Sequence, residues 1–309
     1  MRVLLTGGSG MLGSAFRRLA PNVASDIELL CPTRHELPLE GAKTVSDWLV
    51  SNKVEAVIHA AARVGGIQAN INHPVDFLVE NMRMNDAVIM GAHGAGIERL
   101  IFLGSSCMYP RDYRQPLEEN DVLAAPLEPT NEGYALSKIT ASRLCDYISG
   151  SHPQRHYRTF IPCNLFGTED HFGSVASHLI AAIVTKVINA RDSGADKVEI
   201  WGSGNARREF LFTDDIVPFM LDALCRLEDL PGLLNIGYDS DHSVNEYYQM
   251  VADLAGYNGK FTHDTSKPEG MMRKCMTSAR AKSLGFDAKT DIRQALTQVI
   301  AAYEKQRAP

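Results

Sequence analysis

The 309-residue sequence has no segment that would mark a membrane-spanning or disulfide-stabilised protein. No uncharged apolar run approaches the ~18 residues of a transmembrane helix, and no basic segment leads into a longer apolar stretch after Met1. The six cysteines show no CxxC spacing, which argues against a zinc site or a disulfide framework. We therefore expect a reduced, cytoplasmic protein with no signal peptide, no membrane segment and no metal.

The sequence also lacks an excess of positive charge. Its formal net charge is −6, which argues against a general nucleic-acid or anionic-membrane binder but leaves room for a local basic pocket. Hydrophobic residues make up 45% and charged residues 22% of the chain, as in an ordinary globular protein. The length suffices for one large domain or two closely joined ones.

Short apolar runs alternate with helical patterns in the first half of the chain. Strands are predicted at residues 3–5, 27–30, 56–58, 100–103 and 157–161. Helices are predicted between them at residues 11–20, 45–51, 77–94 and 132–148. Strands that are apolar on both faces and separated by helices indicate a parallel sheet covered on both sides. We expect an α/β fold with a Rossmann-type doubly wound parallel sheet.

The second half is less regular and predicts a smaller α/β lobe. Helices are predicted at residues 174–190, 216–226, 243–254 and 292–303, and strands at 198–201 and 233–236. No Pro/Gly-rich linker separates two halves, so we expect the lobes to be interleaved. The expected division is a cofactor domain of residues 1–163 plus about 209–238, and a substrate lobe of residues 164–208 plus 239–309.

A glycine-rich loop follows the first strand and opens the first helix. Gly7, Gly10 and Gly13 lie in the segment Thr6-Gly7-Gly8-Ser9-Gly10-Met11-Leu12-Gly13. In this context, backbone N–H groups and a helix N-terminus face a pyrophosphate, although glycines often mark only a tight turn. The loop, with Met11, therefore predicts a dinucleotide cofactor.

The second strand ends without an acidic residue that could hold a ribose 2′-hydroxyl. Arg34 follows it and could meet a 2′-phosphate, which favours NADP(H) over NAD; the alternative is a solvated surface arginine. Ala60 and Ala61 follow the third strand, where small residues let the backbone pass close to the dinucleotide. His59 beside them could be structural or functional.

Tyr134 and Lys138 are four residues apart on a predicted helix and so share one face. A nearby cation favours the phenolate, so we expect Lys138 to lower the pKa of Tyr134 toward neutrality. Ser105 follows the fourth strand and can hold a carbonyl oxygen against this acid. If the chain stays extended there, Cys107 faces the same way as Ser105, at the carboxyl end of a parallel strand. Taken singly, the YxxxK pair could consist of solvated surface residues, and Cys107 could be a small buried hydrophobic residue. Together, the motifs predict an enzyme that acts on a carbonyl.

These motifs resemble the extended short-chain dehydrogenase/reductases, and among them the branch that epimerises and reduces GDP-4-keto-6-deoxy-hexoses. The YxxxK pair specifies only the superfamily. The resemblance to the branch extends over nearly the whole chain, through the segments Val64-Gly65-Gly66-Ile67-Gln68-Ala69-Asn70, Phe102-Leu103-Gly104-Ser105-Ser106-Cys107-Met108-Tyr109-Pro110, Leu127-Glu128-Pro129-Thr130-Asn131-Glu132, Asn164-Leu165-Phe166-Gly167, Ser177-His178-Leu179-Ile180, Trp201-Gly202-Ser203-Gly204 and Arg208-Glu209-Phe210.

The resemblance implies that Ser105, Tyr134 and Lys138 perform the reduction. Tyr134 would protonate the C4 oxygen as hydride arrives from NADPH, Lys138 would hold the nicotinamide ribose, and Ser105 would donate to the carbonyl oxygen. The cofactor contacts that it implies are Asn81, Tyr134, Lys138, Asn164 and His178. The substrate contacts that it implies are Lys186, Trp201, Arg208 and Lys274.

The resemblance also implies that Cys107 and His178 are the acid/base pair of the epimerase. A C4 ketone acidifies the C–H bonds at C3 and C5, because the enolate places its charge on the oxygen at which Ser105 and Tyr134 are aimed. Inversion requires a proton to leave from one face and return to the other. A thiol and an imidazole titrate near ~8.5 and ~6.5, so both can cycle near neutrality, and either could be the base.

The identity of the sugar stays open at this stage. A diphosphate needs cations, and Lys186 and Arg208 are candidates, although each could belong to a solvated basic face. Three positions near the expected sugar and nucleotide depart from many relatives: Lys186 replaces arginine, Thr277 replaces aspartate and Arg63 replaces lysine. A related GDP-deoxyhexose or GDP-heptose is therefore the alternative substrate. We expect a homodimer, because relatives pair helices like those at 77–94 and 132–148.

Other activities fit the sequence less well. A 4,6-dehydratase would need an acidic pair where Ser106 and Cys107 stand. A simple 4-epimerase of the UDP-galactose type would not need Cys107 and His178. A non-catalytic NADP-binding sensor would be expected to have a damaged YxxxK or no serine, and both are intact here.

We predict that Tyr134→Phe still binds NADPH but reduces its keto-sugar at least ~100-fold more slowly, because the proton donor to the carbonyl oxygen is lost. Single-turnover oxidation of NADPH measures the rate, and a fluorescence titration measures cofactor binding. Unchanged turnover would remove Tyr134 from the reaction.

Overall fold

The computed structural model describes residues 1–173 and 178–307 of the chain. Its strands are β1 Arg2–Thr6, β2 Glu28–Leu30, β3 Ala56–His59, β4 Arg99–Leu103, β5 His156–Pro162, β6 Asn164–Phe166, β7 Lys197–Trp201, β8 Arg207–Phe212, β9 Leu233–Ile236, β10 Asp241–Ser243, β11 Lys260–Asp264 and β12 Arg273–Lys274. Its α-helices are α1 Met11–Val23, α2 Ala42–Ser51, α3 Ile67–Asn72, α4 Pro74–Gly94, α5 Glu132–Ser151, α6 Leu179–Ser193, α7 Thr213–Leu224, α8 Val244–Ala255, α9 Ala279–Ser283 and α10 Ile292–Arg307.

Six parallel strands form the main sheet, in the order β2-β1-β3-β4-β5-β9. β1 pairs with β2 on one side and with β3 on the other, so the winding of the chain reverses beside β1. Ligands of such sheets bind at this switch point, beyond the carboxyl ends of the strands. The predicted α/β fold with a Rossmann-type doubly wound sheet is confirmed.

Alternate residues of the strands face opposite layers of helices, as the two-residue period of a strand requires. Val3 and Leu5 of β1 are buried in the layer that contains α1 and α7. Leu4, between them, is buried with Val57 and Leu100 in the layer formed by α2, α4 and α5. The sheet is therefore apolar on both faces, which is why its strands appear in the sequence as continuous hydrophobic runs.

The smaller lobe is built around β8, which pairs in parallel with β6 and β12 and antiparallel with β10. β7 and β11 form a separate parallel pair. Helices α6, α8 and α10 bury a third hydrophobic cluster against these strands. β9, by contrast, returns to the main sheet beside β5. The division of the chain at the residue boundaries given above stays a prediction.

The strands and helices expected from periodicity are present, with ends that differ by a few residues. The helix expected at 174–190 is observed from Leu179, and residues 174–177 lie outside the described part of the chain. Strands β6, β8, β10, β11 and β12 were not predicted; β6, β10 and β12 have only two or three residues, too few to show a two-residue period. Across the described residues, none of the helices combines the length and the apolar character that a membrane crossing needs.

Two glycines inside helices give opposite expectations for substitution by alanine. A Cβ at Gly13 would lie 2.2 Å from the Gly7 carbonyl oxygen, whereas a Cβ at Gly150 in α5 would meet no atom within 4 Å. We predict that Gly13→Ala lowers the free energy of unfolding by about 1–3 kcal/mol through overpacking. Gly150→Ala is the matched control and should raise stability by about 0.5 kcal/mol, because alanine loses less backbone entropy in a helix. Urea unfolding measures both, and equal effects would contradict the packing described here.

Candidate active site

A cleft of about 1800 Å³ lies beyond the carboxyl ends of β1, β3 and β4 and is closed on its other side by the smaller lobe. It brings together almost every residue that the sequence nominated. The predicted residues that line it are Gly7, Gly10, Met11, Gly13, Arg34, Ala60, Ala61, Ser105, Cys107, Tyr134, Lys138, Asn164, His178, Lys186, Trp201, Arg208 and Lys274. Asn81 is nominated too, but it lies outside this lining.

The β1–α1 loop is tight enough to exclude side chains. Gly7 has a φ of +73°, and a Cβ there would lie 2.8 Å from the backbone nitrogen of Ala61. The Gly10 N–H donates to the Gly7 carbonyl oxygen at 3.0 Å, and Gly10 caps α1 without a side-chain hydrogen bond. The first N–H groups of α1 are thus left for an anion, and the loop fits a dinucleotide pyrophosphate.

Two arginines line the far end of the same cleft. Arg34, which follows β2, is exposed and lines the cleft. Arg17 of α1 joins it and was missed, because one basic residue in an amphipathic helix gives no distinct signal. Both cations are available to a phosphate group here.

Asn81 is buried on α4 and holds the loop after β3. Its Oδ1 accepts from the Arg63 backbone N–H at 2.8 Å, and its Nδ2 donates to the carbonyl oxygens of Arg63 at 3.0 Å and Phe77 at 2.7 Å. These bonds occupy the side-chain amide. Asn81 therefore shapes one wall of the cleft from behind, and the cofactor contact that the resemblance implied for it stays a prediction.

His59 has a structural environment. Its Nδ1 lies 2.8 Å from Thr6 Oγ1, and its Nε2 lies 3.1 Å from Asn85 Oδ1. Burial lowers the pKa of His59 to about 3, and the charge of Lys138 acts in the same direction. A neutral imidazole with both nitrogens engaged ties β1, β3 and α4 together, which favours the structural alternative.

Ser105 caps a short 3₁₀ turn, and Cys107 lies within that turn. The turn spans Ser106–Met108, and the Ser105 Oγ accepts from the Cys107 backbone N–H at 3.2 Å. The condition of an extended backbone holds at Ser105 but not at Cys107, because the serine hydroxyl caps a turn at this point. Both side chains nevertheless line the cleft.

Lys138 is buried, with 2% of its surface exposed, and its Nζ donates to the Leu103 carbonyl oxygen at 2.7 Å. The Nζ lies 5.8 Å from the centre of the Tyr134 ring. Burial lowers the pKa of Lys138 to about 7, against the opposing effect of Cys107. The lysine is therefore directed at the end of β4 and is only a weak source of positive charge.

The pKa of Tyr134 moves in the direction opposite to the one expected. Burial raises it, Cys107 acts in the same direction, and hydrogen bonding with Ser105 lowers it. The prediction of a lowered pKa was wrong for the protein without ligands, because desolvation of the phenolate outweighs the lysine four residues away. Tyr134 is thus held as a neutral phenol, which is the form that donates a proton.

Two hydrogen-bond donors surround the Cys107 sulfur. Asn131 Nδ2 lies 3.1 Å from Sγ, and Lys274 Nζ lies 3.8 Å from it. Lys274 was expected to contact the nucleotide-sugar, and here it also faces the thiol. Asn131 was missed, because its partner lies 24 residues earlier in the chain. Donors and a cation at a sulfur stabilise the thiolate form.

His178 precedes α6 and is held by Asp170. Its Nδ1 lies 3.0 Å from Asp170 Oδ1. The hydrogen bond and charge of Asp170 raise the pKa of His178, against the lowering effect of burial. Asp170 was missed, because a single aspartate in a loop is usually solvated. The two candidate acid/base residues thus have opposite partners, cationic at Cys107 and anionic at His178.

The predicted substrate residues form the opposite wall. Lys186 Nζ lies 5.2 Å from the centre of the Trp201 ring and donates to the Glu199 carbonyl oxygen at 3.0 Å. Arg208 donates to the carbonyl oxygens of Arg207 at 2.8 Å and Glu269 at 3.0 Å. Burial lowers the pKa of both Lys186 and Arg208, so neither belongs to a fully solvated face.

Comparison with known proteins defines the class to which this arrangement belongs. The chain belongs to the NAD dependent epimerase/dehydratase family, whose model matches residues 3–237. The predicted resemblance and the prediction of an enzyme are confirmed by this membership and by the relatives that follow.

Two curated relatives are similar over nearly the whole chain. A GDP-L-colitose synthase of Yersinia pseudotuberculosis is 42% identical over 298 residues, which cover 96% of both chains. A GDP-L-fucose synthase of Azorhizobium caulinodans is 41% identical over 285 residues, which cover 92% of this chain and 90% of the relative. The structure of a GDP-mannoheptose C4 reductase from Campylobacter jejuni, with NADP bound, is 25% identical, with a TM-score of 0.87 and coverage of 98% of both chains.

Proposed function

We propose that the protein epimerises a GDP-4-keto-6-deoxy-hexose at C3 and C5 and reduces it at C4 with NADPH, as in the synthesis of GDP-L-fucose from GDP-4-keto-6-deoxy-D-mannose. The observation that carries the proposal is the convergence of reductase and epimerase residues in one cleft: Ser105, Cys107, Tyr134, Lys138 and His178. The GDP-L-fucose synthases among its relatives support the same substrate class.

The chain's own residues would bind NADP(H), which is the cofactor in the heptose reductase structure. The N–H groups of the Gly7–Gly13 loop and of the first turn of α1 would hold the pyrophosphate. Arg34 and Arg17 would pair with the 2′-phosphate. When bound, NADPH supplies the hydride that is added at C4.

Reduction at C4 uses the residues at the end of β4 and on α5. Ser105 donates a hydrogen bond to the C4 oxygen and fixes its position. Tyr134, held as a neutral phenol, donates its proton to that oxygen as the oxygen becomes an alkoxide. Lys138, anchored on the Leu103 carbonyl oxygen, holds the ribose of the cofactor and the orientation of the phenol.

Epimerisation uses the same oxygen as an electron sink. Removal of a proton from C3 or C5 sends the C–H electron pair toward the C4 oxygen, where Ser105 and Tyr134 stabilise the enolate. The surroundings of the two candidate residues suggest their roles. Cys107, beside Asn131 and Lys274, removes the proton as a thiolate, and His178, beside Asp170, returns one to the opposite face as an imidazolium.

A second candidate is the same chemistry on a related GDP-keto-sugar. The 42% identity with a GDP-L-colitose synthase favours another deoxyhexose as the sugar. The fold match to a GDP-mannoheptose C4 reductase adds GDP-heptoses to the candidate substrates. Of the three departures from the relatives, Arg63 and Lys186 line the cleft, whereas Thr277 does not. Parallel assays on the corresponding ketones would rank these substrates by kcat/KM.

Heavy water separates the two activities. The protein is incubated with GDP-4-keto-6-deoxy-mannose and NADPH, and NMR of the product gives its stereochemistry and the deuterium at C3 and C5. We predict that Cys107→Ser and His178→Gln each suppress deuterium entry at least ~100-fold, because a proton donor or acceptor is lost. Cys225→Ser, at an exposed cysteine outside the cleft, is the control and should exchange like the wild type. Undiminished exchange in both site variants would remove the pair from the mechanism.

A homodimer through α4 and α5 is part of the proposal. The two helices pack side by side and expose apolar side chains, among them Val75 at 69%, Met82 at 42%, Leu136 at 38% and Tyr147 at 68%. Spacings of 7 and 11 residues place each pair on one helix face. Exposed apolar side chains grouped on two neighbouring helices are typical of an interface.

The dimer is tested by light scattering coupled to size exclusion. The wild type should have twice the mass of the chain, and the double variant M82E/Y147E should be a monomer, because two charges would be buried at the interface. Val23→Glu, at an exposed apolar residue of α1, is the control and should stay dimeric. A monomeric wild type would contradict the proposal.

A further inference from the structure

Asp170 lies in the loop after β6, at the entrance to α6. Only 1% of its side chain is exposed. Its Oδ1 accepts from the His171 backbone N–H at 2.8 Å and lies 3.0 Å from His178 Nδ1. The same carboxylate oxygen is therefore held by the backbone and faces the imidazole.

We propose that Asp170 is the positioning residue that holds His178 in the tautomer and charge state of a proton donor. The inference rests on the proposed function for the proton transfer itself, but the positioning can be tested without substrate.

The location of His178 makes such a partner necessary. His178 is the N-cap residue of α6, and its side chain makes no capping hydrogen bond. The N-terminus of a helix carries partial positive charge, and burial also disfavours a cation, so both effects oppose an imidazolium at this position. The pKa of His178 is nevertheless raised, and Asp170 is the group that raises it.

The contact also decides which nitrogen can react. A proton on Nδ1 is shared with Asp170, so Nε2 is the nitrogen that can exchange a proton with a ligand. In the transfer, the Nε2–H bond breaks and the enolate electron pair forms the new C–H bond. The imidazole is left neutral with its Nδ1–H still hydrogen-bonded to Asp170, and Nε2 regains a proton from solvent.

Other charged groups do not replace Asp170. The titratable groups that line the cleft with His178 include the cations Lys138, Lys186, Arg208 and Lys274 and also four carboxylates, Glu40, Glu80, Glu128 and Glu269. Among the described residues, Asp170 is the carboxylate in hydrogen-bond and ion-pair contact with His178, and none of those four has such a contact. Glu169, next to Asp170, lies 2.6 Å from Arg18 and is paired there. Glu169 is therefore a matched control: the same loop and charge, with a different partner.

Nitrogen-15 NMR of the histidines in the full-length protein without ligand tests the positioning, with His178 assigned by its loss in His178→Gln. In the wild type we expect His178 to titrate above ~6.5 and to be neutral as the Nδ1–H tautomer. In Asp170→Asn the pKa should fall by ~1 unit or more, and Asp170→Glu should restore part of it. Glu169→Gln should match the wild type.

The pH profile of deuterium entry at C5 gives the functional readout. Because the donor must be protonated, exchange falls as pH rises through the pKa of His178. In Asp170→Asn this alkaline limb should move to lower pH, while Glu169→Gln leaves it in place.

Three outcomes would overturn the proposal: a wild-type His178 that titrates at or below ~6.5, a neutral Nε2–H tautomer, or a folded Asp170→Asn with an unchanged His178 pKa. The first two need no variant. An absence of exchange in the wild type would contradict the proposed function instead, and the NMR result would still decide the role of Asp170.

Discussion

The hydrogen bond from the Lys138 ammonium to the Leu103 carbonyl oxygen is the contact on which the site depends. The bond joins α5 to the end of β4, and the two residues are 35 positions apart in the sequence. It is 2.7 Å long and is buried away from water. One turn before Lys138, Tyr134 is thereby placed beside Ser105, the second residue after the strand. Helix and strand are each rigid, so one buried bond between them sets the relation of acid, oxygen-binding hydroxyl and thiol.

In the proposed mechanism, reduction and epimerisation share one oxygen-binding site, and the two residues proposed for epimerisation lie among groups of opposite charge. Cations and amide donors surround Cys107, and a buried carboxylate faces His178. These opposite surroundings are the reason that, in the proposed mechanism, Cys107 is given the role of base and His178 the role of proton donor. In the same proposed mechanism, neutral Tyr134 serves both reactions, because it would stabilise an enolate oxygen in one and protonate an alkoxide in the other.

The sequence predicted what depends on local periodicity. Runs such as Leu100–Leu103 appear as strands because both faces of the sheet are buried, and the glycine loop follows from its place between β1 and α1. The burial of an individual atom cannot be predicted from local periodicity. The pKa of Tyr134 was predicted in the wrong direction, because the desolvation of its hydroxyl arises from packing across the cleft. Asn131 and Asp170 were missed for a related reason: their importance comes only from the side chain that each contacts.

The anchor of Lys138 is a main-chain oxygen, and this has a consequence for how such sites can change. Any apolar residue at position 103 offers the same carbonyl group, so substitution there leaves the bond in place. An inserted or deleted residue between β4 and Ser105 would instead rotate every following side chain relative to Lys138. The bond therefore tolerates a different apolar side chain at position 103 but not a change in the length of the segment that follows β4.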